Sequence, residues 1–167
     1  LALTATATPR VKNDIVEPEN PKPLQGVGTD VVFEDVQFSY GEKPVLHDFT
    51  LTVNAGRLVA LVGGSGGGKT TVTNLLLRFH DPQAGRITIG GTDIRDVHTR
   101  DLRNQVAIVT QETVLFNDTI FNNIALGRPG ATREQVIEAA RHAYAHDFIT
   151  EKPEGYDTII GEKGVML

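Results

Sequence analysis

The chain has 167 residues, a formal net charge of −5 and no cysteine. That length allows one domain with a modest core, and 40% hydrophobic with 22% charged residues is the composition of a soluble globular protein. No apolar run reaches the roughly 18 residues of a membrane span. The lack of cysteine excludes disulfides and thiolate metal sites and fits the cytosol, and an acidic chain with no Lys/Arg block is not expected to bind nucleic acid through a basic face.

Residues 1–28 read as a linker. Four of the eight prolines, Pro9, Pro18, Pro21 and Pro23, fall there, followed by Gly26 and Gly28. Such a segment is expected to be extended and hard to pack. The first eight residues carry no basic region, so they do not read as a signal peptide. The leading Leu1 is compatible with a piece of a longer protein and a tether from an upstream part. From Val31 the pattern changes. Residues 31–38 alternate and are rich in β-formers, ending at Ser39-Tyr40-Gly41, and residues 45–53 form a second strand-like run. The short connection between them favours antiparallel pairing. Asn54-Ala55-Gly56 is a turn.

Residues 58–62 are a short apolar run that reads as a buried strand. After it comes Gly63-Gly64-Ser65-Gly66-Gly67-Gly68-Lys69-Thr70, the spacing of a P-loop. Val72, Leu75, Leu76 and Phe79 then recur at the spacing of one helix face. A glycine-rich turn between strand and helix lets the backbone approach a ligand closely. Its N–H groups form an anion nest, to which the helix adds unpaired donors and the positive end of its dipole. Lys69 is expected to bring its charge to the β- and γ-phosphates of a nucleotide, and Thr70 Oγ1 to ligate Mg²⁺.

The helix is expected to end near His80, at the turn chemistry of Asp81-Pro82-Gln83-Ala84-Gly85. Residues 86–89 and 92–94 flank Gly90-Gly91 as a hairpin. Residues 99–104 read as a short helix with Thr99 as candidate cap. Residues 106–110 form an apolar run suited to a buried parallel strand, ending in Gln111-Glu112. Helices follow at 119–126, at 133–144 behind Thr132 as N-cap, and at 146–151. Val136, Ile137, Ala140 and Tyr144 share one side of the second of these. The five histidines show no metal-ligand spacing. His142 and His146 could share a helix face but lack a third ligand, so they read as solvated.

A P-loop alone does not choose among GTPases, kinases and motor ATPases. Three other positions narrow the field: Tyr40 some twenty residues before the loop, Gln111 at the end of an apolar run some forty residues after it, and Gly161-Glu162-Lys163-Gly164 near the end. With the stretch from Gln111 to Ile120, they make residues 31–167 resemble the nucleotide-binding domain of ATP-binding cassette (ABC) transporters, of the exporter type. The resemblance implies an α/β fold: a P-loop NTPase (RecA-like) core with an antiparallel β subdomain and the start of a helical subdomain. It implies residues 1–28 as a connector from a transmembrane domain, and residues 29–167 as the N-terminal part of an incomplete nucleotide-binding domain.

The resemblance also implies roles. ATP and Mg²⁺ are the cofactors. Tyr40 matches the aromatic that stacks on adenine; read alone, it is a strand-end tyrosine packing on the sheet. Gly63, Ser65, Gly66, Gly67, Gly68, Lys69, Thr70 and Thr71 match the phosphate-binding loop, with Gly67 standing where family members often have serine. Gln111 matches the glutamine that reaches Mg²⁺ and the attacking water; otherwise it is an ordinary strand-end polar residue. Lys69 and Gln111 are thus the implied catalytic groups, and Thr70 and Gln111 the metal ligands. Glu162 matches an acidic position near the membrane domain, or is a surface glutamate. Implied partners are a second nucleotide-binding domain, head to tail, and a transmembrane domain met through the Gln111 and Glu162 regions, which places the chain at the cytoplasmic face of a membrane.

The family's serine-glycine-glycine signature, its Asp-Glu strand and its switch histidine have no counterpart in these 167 residues. Without the Asp-Glu strand, an apolar sheet edge is expected to lie open. A P-loop GTPase or kinase and a non-hydrolysing ATP-binding module are the competing readings. No Asn-Lys-x-Asp guanine motif supports the first.

Overall fold

A computed structural model describes residues 15–24, 28–109 and 115–161. They fall into two units, one running to Ile108 and the other from Val109 on.

The first unit is built on the alternating run after Thr29. Val31–Tyr40 forms β1 and Lys43–Val53 forms β2, an antiparallel pair with Val31 opposite Val53 and Phe33 opposite Leu51. Ala84–Ile89 forms β3 and pairs with the other edge of β1; Thr92–Asp93 forms β4 and closes the expected Gly90-Gly91 hairpin. The sheet order is β2-β1-β3-β4. At the Phe33/Val36 register shift Asp35 takes φ 46°, and Gly85 of β3 lies so close that an added Cβ would stand 2.3 Å from Glu34 O. Only glycine fits that approach.

One face of this sheet is apolar by period. Phe33, Val36 and Phe38 of β1, Leu46 of β2, and Ile87 and Ile89 of β3 are buried. The helix α1, Lys69–Leu76, covers that face with Val72 and Leu75. Ile94 and Val97 join the same core, as does Leu102 of α2, Thr99–Asn104. Burying each such side chain contributes about 1.5–3 kcal/mol. The helix ends at Leu76 rather than near His80, because Arg78 turns left-handed with φ 51°. Phe79 therefore leaves the expected helix face and is half-exposed.

Two expected strands do not form. Residues 57–64 carry no strand, and Leu58 and Val62 are 98% and 89% exposed. Residues 106–109 are likewise irregular, with Val109 98% exposed, and Thr110 lies outside the described residues. Strands of the doubly buried kind need ladder partners on their edges and cover on both faces, and no described strand pairs with either run. Among the described residues neither run forms a sheet edge, and Leu58, Val62 and Val109 are exposed as irregular chain.

The proline-rich segment, expected to pack poorly, is without helix or strand over residues 15–24 but is tied to the first unit. Glu17 accepts from Thr99 N–H at 3.2 Å, Lys22 N donates to Asp96 O at 2.8 Å, and Leu24 packs on the core. This corrects the expected cap of α2. His98 occupies the N-cap position but its side chain makes no capping bond to the helix, Thr99 is the first helical residue, and Glu17 satisfies the Thr99 N–H.

In the second unit, Asp118–Thr119 (β5) pairs antiparallel with Ile159–Ile160 (β6). Three helices follow β5: α3, Ile120–Ala125, α4, Arg133–His142, and α5, His146–Thr150. Thr119 caps α3 by accepting from Asn122 N–H, and Thr132 and Gln135 form the reciprocal capping box of α4. Ile120, Val136, Ala140, Ile149, Tyr156 and Ile160 make the core. Helix α4 ends two residues before the expected Tyr144, which turns with φ 55° and is 94% exposed rather than facing the core. His142 is exposed as expected, whereas His146 is half-buried and bonds to Tyr156 Oη at 2.9 Å through Nδ1.

Candidate functional site

The glycine loop lies at the N-terminus of α1. Gly68 is the N-cap in the left-handed region, φ 81°, and no side chain caps the helix. The first-turn N–H groups and the helix dipole therefore face the loop without a competing carboxylate. Gly68 is buried against β2: an added Cβ would meet Leu46 Cδ2 at 2.9 Å. That leaves no room for a side chain between the helix start and the sheet. Gly67 N–H donates to Gly64 O at 3.2 Å, closing the turn that shapes the loop. On the outer side, a Cβ at Gly63, Gly64 or Gly66 would meet nothing within 4 Å, and Ser65, Gly66 and Thr70 are exposed. Thr71 is buried.

Lys69 folds over this loop. Its Nζ donates to Gly63 O and to Gly64 O, each at 2.8 Å. These are charge-to-carbonyl bonds, and a phosphate oxygen offers the same ammonium a full negative charge. A backbone nest, an uncapped helix start, a parked ammonium and an exposed hydroxyl at Thr70 together suit a polyphosphate with its divalent cation. The donor set therefore fits ATP and Mg²⁺ on the loop side. Gln111 and Glu162 lie outside the described residues.

Tyr40 closes β1. Its ring is 44% exposed and stands perpendicular to two neighbours, Phe38 at 4.8 Å and 89° and His80 at 5.3 Å and 86°. Its hydroxyl accepts from Asn74 Nδ2 at 3.3 Å. Burial pushes the His80 imidazole below its ordinary 6.5.

Sequence reasoning did not single out the group that ends α1. Arg78 is 2% exposed. Its guanidinium donates to Asp81 at 2.9 Å and 3.3 Å, to Val97 O at 3.3 Å, and to Val16 O of the proline-rich segment at 2.9 Å. Arg103 reaches back from α2 to Leu77 O at 3.0 Å and Arg78 O at 2.9 Å, and lies over the Phe79 ring. Arg103 thus satisfies carbonyls just past the end of α1, and Arg78 ties Val97 and the proline-rich segment to the same place. The one signal in the sequence was an arginine following three leucines with an aspartate three residues on.

Residues 46–162 match the family model described as ABC transporter. The chain is 52% identical over 154 residues to the ATP-dependent lipid A-core flippase of Syntrophus aciditrophicus (strain SB), covering 92% of this chain and 26% of that protein. It is 55% identical over 139 residues to the putative multidrug export ATP-binding/permease protein YgaD of Bacillus subtilis (strain 168), covering 82% and 24%. Among solved structures, that of a bacterial Atm1-family ABC exporter with ATP bound matches with a TM-score of 0.84 and 46% identity, covering 91% of this chain and 27% of that one. The chain thus spans about a quarter of the length of these relatives. The structural likeness identifies the mixed α/β architecture as that of a P-loop, RecA-like core.

Proposed function

The chain belongs to the ABC transporter family, and from that premise we propose that it binds Mg·ATP as part of the motor of an exporter. The observation that carries this reading is the exposed glycine loop at the uncapped start of α1, with the Lys69 ammonium parked on Gly63 O and Gly64 O. Lys69 exchanges those carbonyls for the β- and γ-phosphate oxygens. The N–H groups of the loop from Gly63 to Gly68, other than the Gly67 N–H that closes its turn, and those of Lys69, Thr70 and Thr71 cradle the same phosphates; buried Thr71 acts through its backbone. Ser65 lies on the exposed rim of the loop. Thr70 Oγ1 and Gln111 hold the cation, and Tyr40 takes the adenine. ATP, when bound, supplies the phosphoanhydride bond, and Mg²⁺ neutralises charge on its oxygens.

In the whole protein, the reading extends to ATP hydrolysis coupled to transport, at the cytoplasmic face of a membrane. The partners are a second nucleotide-binding domain, head to tail, and a transmembrane domain met at the Gln111 and Glu162 regions. Residues 1–28 then connect to that domain, and residues 29–167 are the N-terminal part of the motor. The names of the relatives support an export role, since they describe a flippase and a multidrug exporter. Competition between Mg·ATP and Mg·GTP for the chain tests the reading. Preference for ATP is expected, and clear preference for GTP would replace the exporter motor with a GTPase.

A further inference from the structure

Tyr40 is an adenine platform only if its ring is held where the base arrives. A tyrosine at a strand end next to a turn has several rotamers open to it, and fixing one costs side-chain entropy at the moment of binding. Here the ring is fixed beforehand. The Phe38 and His80 rings both stand against it near a right angle. Its hydroxyl is held by Asn74. The backbone just before it is clamped as well: Gln83 accepts from Ser39 N–H at 2.8 Å and donates to Ser39 O at 3.1 Å.

Two of these groups come from the chain that carries the phosphate loop. Asn74 lies on α1, which begins at Lys69, and His80 follows its end. We propose that Asn74 and His80 are positioning residues that preset the Tyr40 ring for the base and fix its place relative to the P-loop helix. This rests on the assignment of Tyr40 to adenine made above. Burial disfavours the charged form of His80, so its ring serves Tyr40 by packing.

The physical consequence is a split between the two ends of the nucleotide. Loss of the Asn74 bond loosens the base platform and leaves the phosphate nest intact. Titrations of the full chain with Mg·ATP and with inorganic tripolyphosphate plus Mg²⁺ separate the two. Asn74→Ala is expected to weaken ATP about three- to tenfold and to leave tripolyphosphate unchanged. Tyr40→Phe keeps the ring and removes only the acceptor, so it is expected to match Asn74→Ala, and the double variant to add nothing further. His80→Ala is expected to show the same split, and His80→Phe, which restores a ring, to reverse it. Tyr40→Ala is the control for the underlying assignment.

If Tyr40→Ala weakens ATP and Asn74→Ala, Tyr40→Phe and His80→Ala do not, the positioning role is overturned while the adenine assignment stands. If Asn74→Ala weakens ATP and tripolyphosphate alike, Asn74 supports the helix and not the platform, and the proposal is again overturned. If Tyr40→Ala leaves ATP affinity unchanged, both the assignment and the proposal built on it fall.

Discussion

Glu17 accepts a hydrogen bond from the Thr99 N–H at 3.2 Å and one from the Thr99 hydroxyl, so a residue of the proline-rich segment caps a helix 82 positions away. The bond from the Thr99 hydroxyl is the main influence holding the Glu17 carboxyl below its ordinary 4.5; burial opposes it, and the Thr99 N–H, His98 and the Arg78 charge assist. A carboxyl depressed in the folded state is protonated first in the unfolded one. Its contribution is therefore complete above pH 4.5 and is lost as pH falls through the lowered folded value. Glu17→Ala is expected to cost about 1 kcal/mol at neutral pH, as lost caps do. It is also expected to flatten the stability profile below pH 4.5. Urea unfolding at several pH values measures both.

Arg78 is the larger anchor. Truncation to alanine leaves Val97 O and Val16 O without their donor and Asp81 without its counter-charge. Arg78→Ala is expected to destabilise the chain by about 2–4 kcal/mol, less than a fully buried pair because Asp81 is a third exposed. Arg78→Lys keeps the charge but not the planar fork, and is expected to recover only part of the loss. Chemical denaturation with an unchanged m-value would show that the effect is on the folded state.

Two glycines separate shape from binding. At Gly85 a Cβ would collide with Glu34 O at 2.3 Å in a left-handed backbone, so Gly85→Ala is expected to cost about 2–4 kcal/mol. At Gly67 the nearest atom to an added Cβ is Gly64 O at 3.2 Å, and the backbone is not left-handed. Gly67→Ser is expected to fold normally and to bind Mg·ATP within about threefold of the parent chain. Thermal unfolding and nucleotide titration of the two variants check this contrast.

Local chemistry was legible. The hairpin at Gly90-Gly91, the extent of α2 and the N-cap at Thr132 depend on neighbours a few residues apart. The place of the glycine loop directly before α1 was legible for the same reason, since its residues are neighbours in the chain. The runs at 58–62 and 106–110 carry the apolar residues of buried strands. A strand is made by its partners, and no described strand pairs with either run. Arg78, Glu17 and the bracing of Tyr40 were not legible, because apart from Asp81 and Phe38 their partners lie 16 to 82 positions away. Only the folded chain brings them together.

The most direct measurement of the central claim is calorimetric titration of the chain, as it stands and as Lys69→Ala, with Mg·ATP. Saturable binding is expected for the parent chain. With the ammonium removed, affinity is expected to fall about 10- to 100-fold, the worth of charge-assisted hydrogen bonds to phosphate, while the circular dichroism spectrum is unchanged. No saturable binding by the parent chain, or equal affinity in the variant, would contradict the account.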